Sequence, residues 1–294
     1  MSGFRSGTVG LVGRPNTGKS SLLNKLLGQK LAIVSPRAQT TRHLLMGVLT
    51  TADCQYVFVD APGFQTQHRN LLNRSLNRRA GEAARDMDVV AFVLEALHFD
   101  AADRAALARV PEGKPVVAVV NKIDLVRPAE KLLPFLERVA RERAFDAIVP
   151  VSAATGRNLP ELLRVLRDRL PEGEAIYPAD HLTDRDERFF AAELLREKIF
   201  RLLGEELPYR CETVVDSFRE EGRLRRIEAT IWVERDSQKP IVIGKQGAML
   251  KRISTEARKD MERLFGGKVF LQVWVKVRRS WTDDERLLRQ LGYS

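Results

Sequence analysis

Cysteine is nearly missing from this chain of 294 residues: Cys54 and Cys211 are the only two, far apart and without metal-ligand spacing. That excludes a disulfide scaffold and a zinc ribbon, and it fits free thiols in a reducing compartment. No apolar run approaches the ~20 residues of a membrane-spanning helix, and the opening MSGFRSGTVG has no signal-peptide core, so a cytoplasmic protein is expected. There is no internal repeat, no low-complexity tract, no long amphipathic anchor and no lipidation motif. What is present is ordinary globular material, 44% hydrophobic and 30% charged, in a chain long enough for two domains. The charge is unbalanced, with 49 basic against 39 acidic residues and a net charge of +10, which hints at a polyanionic partner.

The most specific stretch is Gly13-Arg14-Pro15-Asn16-Thr17-Gly18-Lys19-Ser20, preceded by the apolar run Thr8–Val12 and followed by an amphipathic helix pattern closed by Gly28. Strand, G-x-x-x-x-G-K-S and helix together make a phosphate-binding loop. Backbone N–H groups converge there on phosphate oxygens at a helix N-terminus, where the dipole favours negative charge. In this reading Gly13, Asn16, Thr17, Gly18, Lys19, Ser20 and Ser21 hold nucleotide, Lys19 reaches the β- and γ-phosphates, and the Ser20 hydroxyl ligates Mg²⁺.

The motifs that follow sharpen the reading. In the polar stretch Pro36–His43, Thr41 or Thr40 could offer a hydroxyl to Mg²⁺, or these threonines could merely start the strand Leu44–Leu49. The strand Gln55–Asp60 runs into Ala61-Pro62-Gly63, a D-x-x-G arrangement that places Asp60 near the metal and the Gly63 N–H near a γ-phosphate oxygen. Pro115–Val120 empties into Asn121-Lys122-Ile123-Asp124 at a strand's C-terminal end, where open α/β sheets bind ligands. The Asp124 carboxylate can accept from N1–H and N2–H₂ of guanine, a donor pair that adenine lacks, and such pairing can discriminate by ~10⁴–10⁵. Lys122 can stack on the base, Asn121 can tie this loop to the phosphate loop, and in Ser152-Ala153-Ala154-Thr155-Gly156 the Ala153 N–H is placed for guanine O6. Asn158 is expected to cap the next helix. The result is a guanine-nucleotide-binding α/β domain, a Ras-like fold with a mostly parallel sheet, over residues 1–176. Lys19, Thr41 and Gly63 are its candidate catalytic residues.

A linker is expected at 177–184, and a second domain at 185–294. Its pattern is helix (Phe189 to Leu203), strands at Glu212–Phe218 and Leu224–Glu234, the loop Gly244-Lys245-Gln246-Gly247, a helix, a strand at Lys268–Arg278 and a short terminal helix at Asp283–Leu291. That order is an α+β type II KH arrangement, in which a GxxG loop clamps about four nucleotides. GxxG alone is unspecific and could be a plain turn. From Lys239 to Arg279, however, eleven basic residues face three acidic ones, and Lys251 and Arg252 follow the loop directly. Trp274 and Trp281 are expected in the core, with base stacking by Trp281 the minority reading.

The segments GRPNTGKS, SPRAQTTRH, DAPG, NKID and VSAATG, with the KH pattern behind them, resemble the Era group of bacterial GTPases over nearly the whole chain. The resemblance implies GTP hydrolysis with Mg²⁺, single-stranded RNA at the 3′ end of small-subunit ribosomal RNA as the partner, a role in assembling that subunit, and a monomer. It leaves open a peripheral association with the inner membrane, which no residue shows. Where Ras carries a water-orienting glutamine, this chain has Phe64. Related GTPases with an asparagine at the position of Asn16 use potassium to offset transition-state charge, so the resemblance implies K⁺ here; the alternative is that Asn16 only fastens the loop to Asn121 or nearby backbone. Two other classes stay open: a GTP-regulated switch whose basic domain binds a protein or a membrane surface, and a structural ribosome-associated factor with vestigial hydrolysis.

Overall fold

The computed structural model describes residues 3–37, 39–64, 70–204 and 206–293. The chain divides into two compact units, Met1–Ala32 with Thr41–Arg69 and Asn73–Asp184, and Ile33–Thr40 with Asn70–Leu72 and Arg185–Ser294. The sequence reading did not anticipate that two short stretches from the first part group with the second, nor that 177–184 belongs to the first unit.

The first unit is a twisted sheet with helices. In chain order it contains β1 (Arg5–Val12), α1 (Lys19–Leu27), β2 (Leu45–Thr50), β3 (Cys54–Asp60), α2 (Leu71–Asp86, whose first residues group with the other unit), β4 (Val89–Glu95), α3 (Ala101–Leu107), β5 (Val116–Asn121), α4 (Leu132–Ala140), β6 (Ala147–Pro150) and α5 (Leu159–Arg167). The sheet order is β2-β3-β1-β4-β5-β6, and only β2 runs antiparallel. Val89 to Leu94 and Val117 to Val120 are wholly buried, as central parallel strands covered on both faces must be. The loops at the C-terminal ends of β1, β3, β5 and β6 therefore share one edge of the sheet.

Local chemistry differs from expectation at α5. Asn158 precedes the helix in left-handed backbone (φ 63°), and its side chain makes no cap hydrogen bond. Instead its amide donates to the Pro150 carbonyl at 2.8 Å, fastening the helix start to the end of β6. The expected linker is a strap: Gln55, fully buried, accepts from the N–H groups of Ile176 and Tyr177 and donates to the Tyr177 carbonyl. Farther along, the Leu182 carbonyl accepts from the Val48 N–H, and the Thr183 hydroxyl donates to the Met46 carbonyl.

The second unit contains α6 (Glu187–Leu202), β7 (Cys211–Glu221), β8 (Leu224–Val233), α7 (Lys239–Ile243), α8 (Ala248–Phe265), β9 (Lys268–Val277) and α9 (Glu285–Gln290). β8 is central, antiparallel to β7 and parallel to β9. On α8 the buried Ile253, Ala257, Met261 and Phe265 recur every fourth residue, one stripe of a 3.6-residue repeat. α6 is buried around most of its girth, and its charges are paired: Arg196 with Glu193, and Lys198 with Glu197 and Asp260. Trp281 is wholly buried and its indole N–H donates to the Arg210 carbonyl at 3.1 Å. Trp274 is the correction: at 44% exposure it is not core, because it lies on the outward side of the edge strand β9.

Candidate functional site

The first unit gathers the predicted nucleotide residues at the C-terminal edge of its sheet. Between β1 and α1 the phosphate loop begins its helix at Gly18, whose φ of 96° is left-handed. A side chain there would be excluded twice, by that backbone and by the Asn121 amide nitrogen, which lies 2.3 Å from where a Cβ would stand. Asn121, at the end of β5, donates to the Thr17 carbonyl at 2.9 Å and accepts from the Ala153 N–H at 3.0 Å. One side chain thus joins the phosphate loop, the N-K-x-D segment and the loop after β6. The Ala153 N–H, expected to point at a guanine oxygen, is engaged by Asn121 and would have to share its hydrogen.

Lys19 is buried and donates from Nζ to the carbonyls of Gly13 (3.1 Å) and Arg14 (2.8 Å). Burial lowers its pKa to about 8, against the pull of Asp60. The Ser20 hydroxyl donates to Asp60 Oδ2 at 2.5 Å and is 2.9 Å from the Thr41 hydroxyl. Thr41, not Thr40, is therefore the threonine beside Ser20; the Thr40 hydroxyl donates to the Arg37 carbonyl and lies 2.6 Å from the Ser35 hydroxyl. Asp60 is fully buried and its Oδ1 has no hydrogen-bond partner among the described residues. An orphaned carboxylate oxygen beside two hydroxyls is a set of hard oxygen donors that fits Mg²⁺, which uses one or two carboxylates together with phosphates and water. Among the described residues no group of three or more His, Cys, Asp or Glu could hold a metal by itself. The Gly63 backbone abuts Pro15 of the phosphate loop so closely that a Cβ there would lie 2.8 Å from the Pro15 nitrogen.

Asp124 lies in a short 3₁₀ turn, Ile123–Leu125, and its Oδ1 accepts from the Ser152 hydroxyl at 2.5 Å. Lys122 donates to Glu95 at 2.7 Å. Arg14, whose mobility would matter for hydrolysis, is held by two 3.0 Å contacts from Nε to the buried carboxylate of Asp103. Glu95 and Asp103 were missed by the sequence reading. Their signals were a charge closing the apolar run of β4 and the spacing Asp100…Asp103, which forms a capping box at the start of α3. Phe64 is buried in the apolar core with the Arg109 guanidinium 5.0 Å over its ring, so it offers nothing to a water molecule.

In the second unit, Gly244 (φ 74°) leads the GxxG loop and Gly247 (φ 78°) begins α8. At Gly244 a Cβ would come within 2.7 Å of Met249 Cβ, whereas at Gly247 it would meet nothing within 4 Å. Gly247 thus leaves open space at the helix N-terminus. Lys245, Gln246, Lys251 and Arg252 are exposed around it, with Arg252 paired to Glu256 at 3.0 Å.

Comparison with known proteins agrees with both units. Residues 8–122 match the family model described as "50S ribosome-binding GTPase", and residues 206–282 match the KH domain model. The chain is 51% identical to GTPase Era of Nitrosomonas eutropha over 292 residues, covering 99% of each chain. The chain belongs to the Era family of GTPases. GTPase Era of Bordetella petrii is 48% identical over 290 residues, covering 99% of this chain and 98% of that one. The structure superposes on an Aquifex aeolicus Era variant bound to GDP and AlF₄⁻ with a TM-score of 0.95, at 36% identity, covering 99% of this chain and 100% of that one. It matches Era in complex with MgGDPNP and nucleotides 1506–1542 of 16S ribosomal RNA with the same score and identity, covering 99% of both. As an Era GTPase, this chain is a GTP hydrolase with a P-loop domain followed by a KH domain.

Asp60 gives this site a pH signature. Burial lifts its pKa from 3.8 to about 6, with Lys19, Ser20 and Thr41 pulling it down. The folded chain then holds that proton more tightly than the unfolded chain. The group's contribution to ligand-free stability therefore falls as pH rises from about 4 to about 6 and is level above that. Metal-dependent nucleotide affinity should run the opposite way, because a proton competes with the cation. Titration of a fluorescent GDP analogue with Mg²⁺ should show affinity level above pH 7 and falling below pH 6, by up to about tenfold per unit. A profile flat down to pH 5 would remove Asp60 from the metal's surroundings.

Proposed function

We propose that this Era GTPase binds GTP with Mg²⁺ in the first unit, binds the single-stranded 3′ end of 16S ribosomal RNA through Gly244–Gly247, and acts in assembly of the small ribosomal subunit. The observation that carries this is the joint presence of the Asn121-tied nucleotide edge and the open GxxG loop in one chain. The Era complex with nucleotides 1506–1542 of 16S RNA supports small-subunit RNA over the large subunit named in the broader GTPase description. In this reading Gly13, Asn16, Thr17, Gly18, Lys19, Ser20 and Ser21 cradle the phosphates, and Gly63 presents its N–H to the γ-phosphate. Asn121, Lys122, Asp124, Ser152 and Ala153 take the base. Ser20, Thr41 and Asp60 would hold Mg²⁺, which neutralises charge on the phosphates. Lys245, Gln246, Lys251 and Arg252 line the RNA contact. Crosslinking the protein to RNA in cells and sequencing the adducts should recover the 3′ end of 16S RNA above other transcripts. Enrichment of 23S fragments or of no RNA would overturn the assignment.

Base choice rests on Asp124, oriented by Ser152. Asp124→Asn should shift preference from GTP toward xanthosine triphosphate by about two orders of magnitude or more, since the amide keeps an acceptor for N1–H but replaces the acceptor for guanine N2–H₂ with a donor that suits the 2-oxo group of xanthine. A competition assay that still favours GTP would take Asp124 out of the pocket.

Hydrolysis needs a source of positive charge other than Arg14, which Asp103 holds, and Phe64 cannot orient water. We assign that role to a monovalent cation at Asn16, which is exposed in the phosphate loop in left-handed backbone (φ 65°). GTP hydrolysis should be faster in K⁺ than in Na⁺ at equal ionic strength, and Asn16→Ala should abolish the difference with GDP affinity nearly intact. Equal rates in both salts with nucleotide saturating would refute the cation.

A further inference from the structure

The KH sheet has two faces, and α8 packs on one of them. On β9 the side chains alternate, with Val269 and Val275 buried toward the helices. The opposite row, Lys268, Phe270, Gln272, Trp274, Lys276 and Arg278, is exposed at every position. Phe270 and Trp274 are 40% and 44% exposed, large aromatic surfaces left in water on one strand. Their row carries three cations and no carboxylate. The neighbouring strand adds to it: Arg226 pairs in register with Phe270, and its guanidinium lies 4.7 Å from that ring's centroid. Arg278 lies 5.9 Å over Trp232. Glu228 faces the same way, Arg226 is also within 3.2 Å of Glu221, and Thr230, buried in register with Trp274, donates to Asp216 at 2.6 Å, so the face is basic in balance rather than purely so.

Flat π surfaces interleaved with Lys and Arg complement a chain that is anionic along its backbone and aromatic in its bases. An acidic protein surface would use the cations but leave the rings in water. A second apolar sheet would cover the rings but bury Lys276 and Lys268 unpaired. Single-stranded nucleic acid uses both, by base stacking on the rings and phosphate contacts to the cations, as on other open-faced sheets that read RNA. Phe270 and Trp274 are four residues apart on a strand, about 13 Å, so each ring would take a different base.

The place in the fold joins this face to the GxxG loop. β8 leads through a short 3₁₀ turn at Asp236–Gln238 into α7 and Gly244–Gly247, and β9 lies parallel to it, with Val277 opposite Val233 at that same end. α7 packs against β9. An RNA leaving the loop along the free edge of β9 would meet the outward row next. We propose that the outward face of β8 and β9, centred on Trp274 and Phe270, is a second contact surface for single-stranded RNA, which extends the strand held at the GxxG loop. The proposal rests on the RNA-binding reading of that loop.

The test compares two fluorescein-labelled, unstructured RNAs by anisotropy. One has about five nucleotides, close to what a GxxG loop clamps; the other has the same core extended to about fifteen. Trp274→Ala should weaken the longer RNA by about 5- to 100-fold, the range of one lost base stack, and leave the shorter one unchanged. Trp274→Phe should restore most of the loss, and GTP hydrolysis should be unaffected in both variants. An unchanged affinity for the longer RNA, or an equal loss for both lengths, would overturn the platform. So would a concentration-dependent dimer that disappears in Trp274→Ala, which would make this face a surface between two copies. Gly247→Asp should abolish binding of the shorter RNA. If it does not, the loop reading fails, while the length dependence of Trp274→Ala still decides the platform.

Discussion

The nucleotide site depends on one amide. Asn121 uses both ends of its side chain, one for the Thr17 carbonyl and one for the Ala153 N–H, and it is almost wholly buried while doing so. Three loops from different strands are therefore set relative to one another by hydrogen bonds that no water competes for, which is where such bonds matter most. Gly18 follows from this arrangement, since any Cβ there would strike that amide. Asn121 thus sets the spacing between Asp124 and Lys19 through Thr17 and Ala153. A ligand built from base and phosphates meets an edge already cut to length.

The architecture of the first unit was legible because parallel strands buried on both faces read as unbroken apolar runs, and each run ended in a motif with its own chemistry. What was not legible came from contacts between distant segments. Asp103 looks like a helix-capping residue in sequence, and it is one, but it also grips Arg14 from the phosphate loop. Asn158 has the residue type of a helix cap, yet a carbonyl at the end of β6 outcompetes its own helix for the amide. The short helices α3 and α4, of seven and nine residues, are likewise absent from the sequence reading, because segments this short carry too few turns to stand out.

In the second unit the order of elements was readable, and the fate of its tryptophans was not. A strand with both Trp274 and Phe270 on one row looks like core until the sheet's edge and open face are known. Trp281, close by in sequence, is wholly buried because its indole N–H finds the Arg210 carbonyl. Composition gives the same weight to both residues; topology separates them. The same holds for charge. The basic residues between Lys239 and Arg279 include a helix start, a glycine loop and one sheet face, and only the fold shows that these adjoin.

The strap from Ile176 to Thr183 bears on how the molecule can be taken apart. β2 is an outer strand of the six-stranded sheet, and an outer strand with open N–H and C=O groups invites pairing with another chain. Here Leu182 and Thr183 occupy Val48 and Met46, and Gln55 anchors the strap where it arrives. A segment that reads as a tether between domains is thus the border of the first one. A GTPase fragment cut at residue 176 would leave that border raw and prone to stick to its own kind, whereas one carried on to Asp184 would keep its hem.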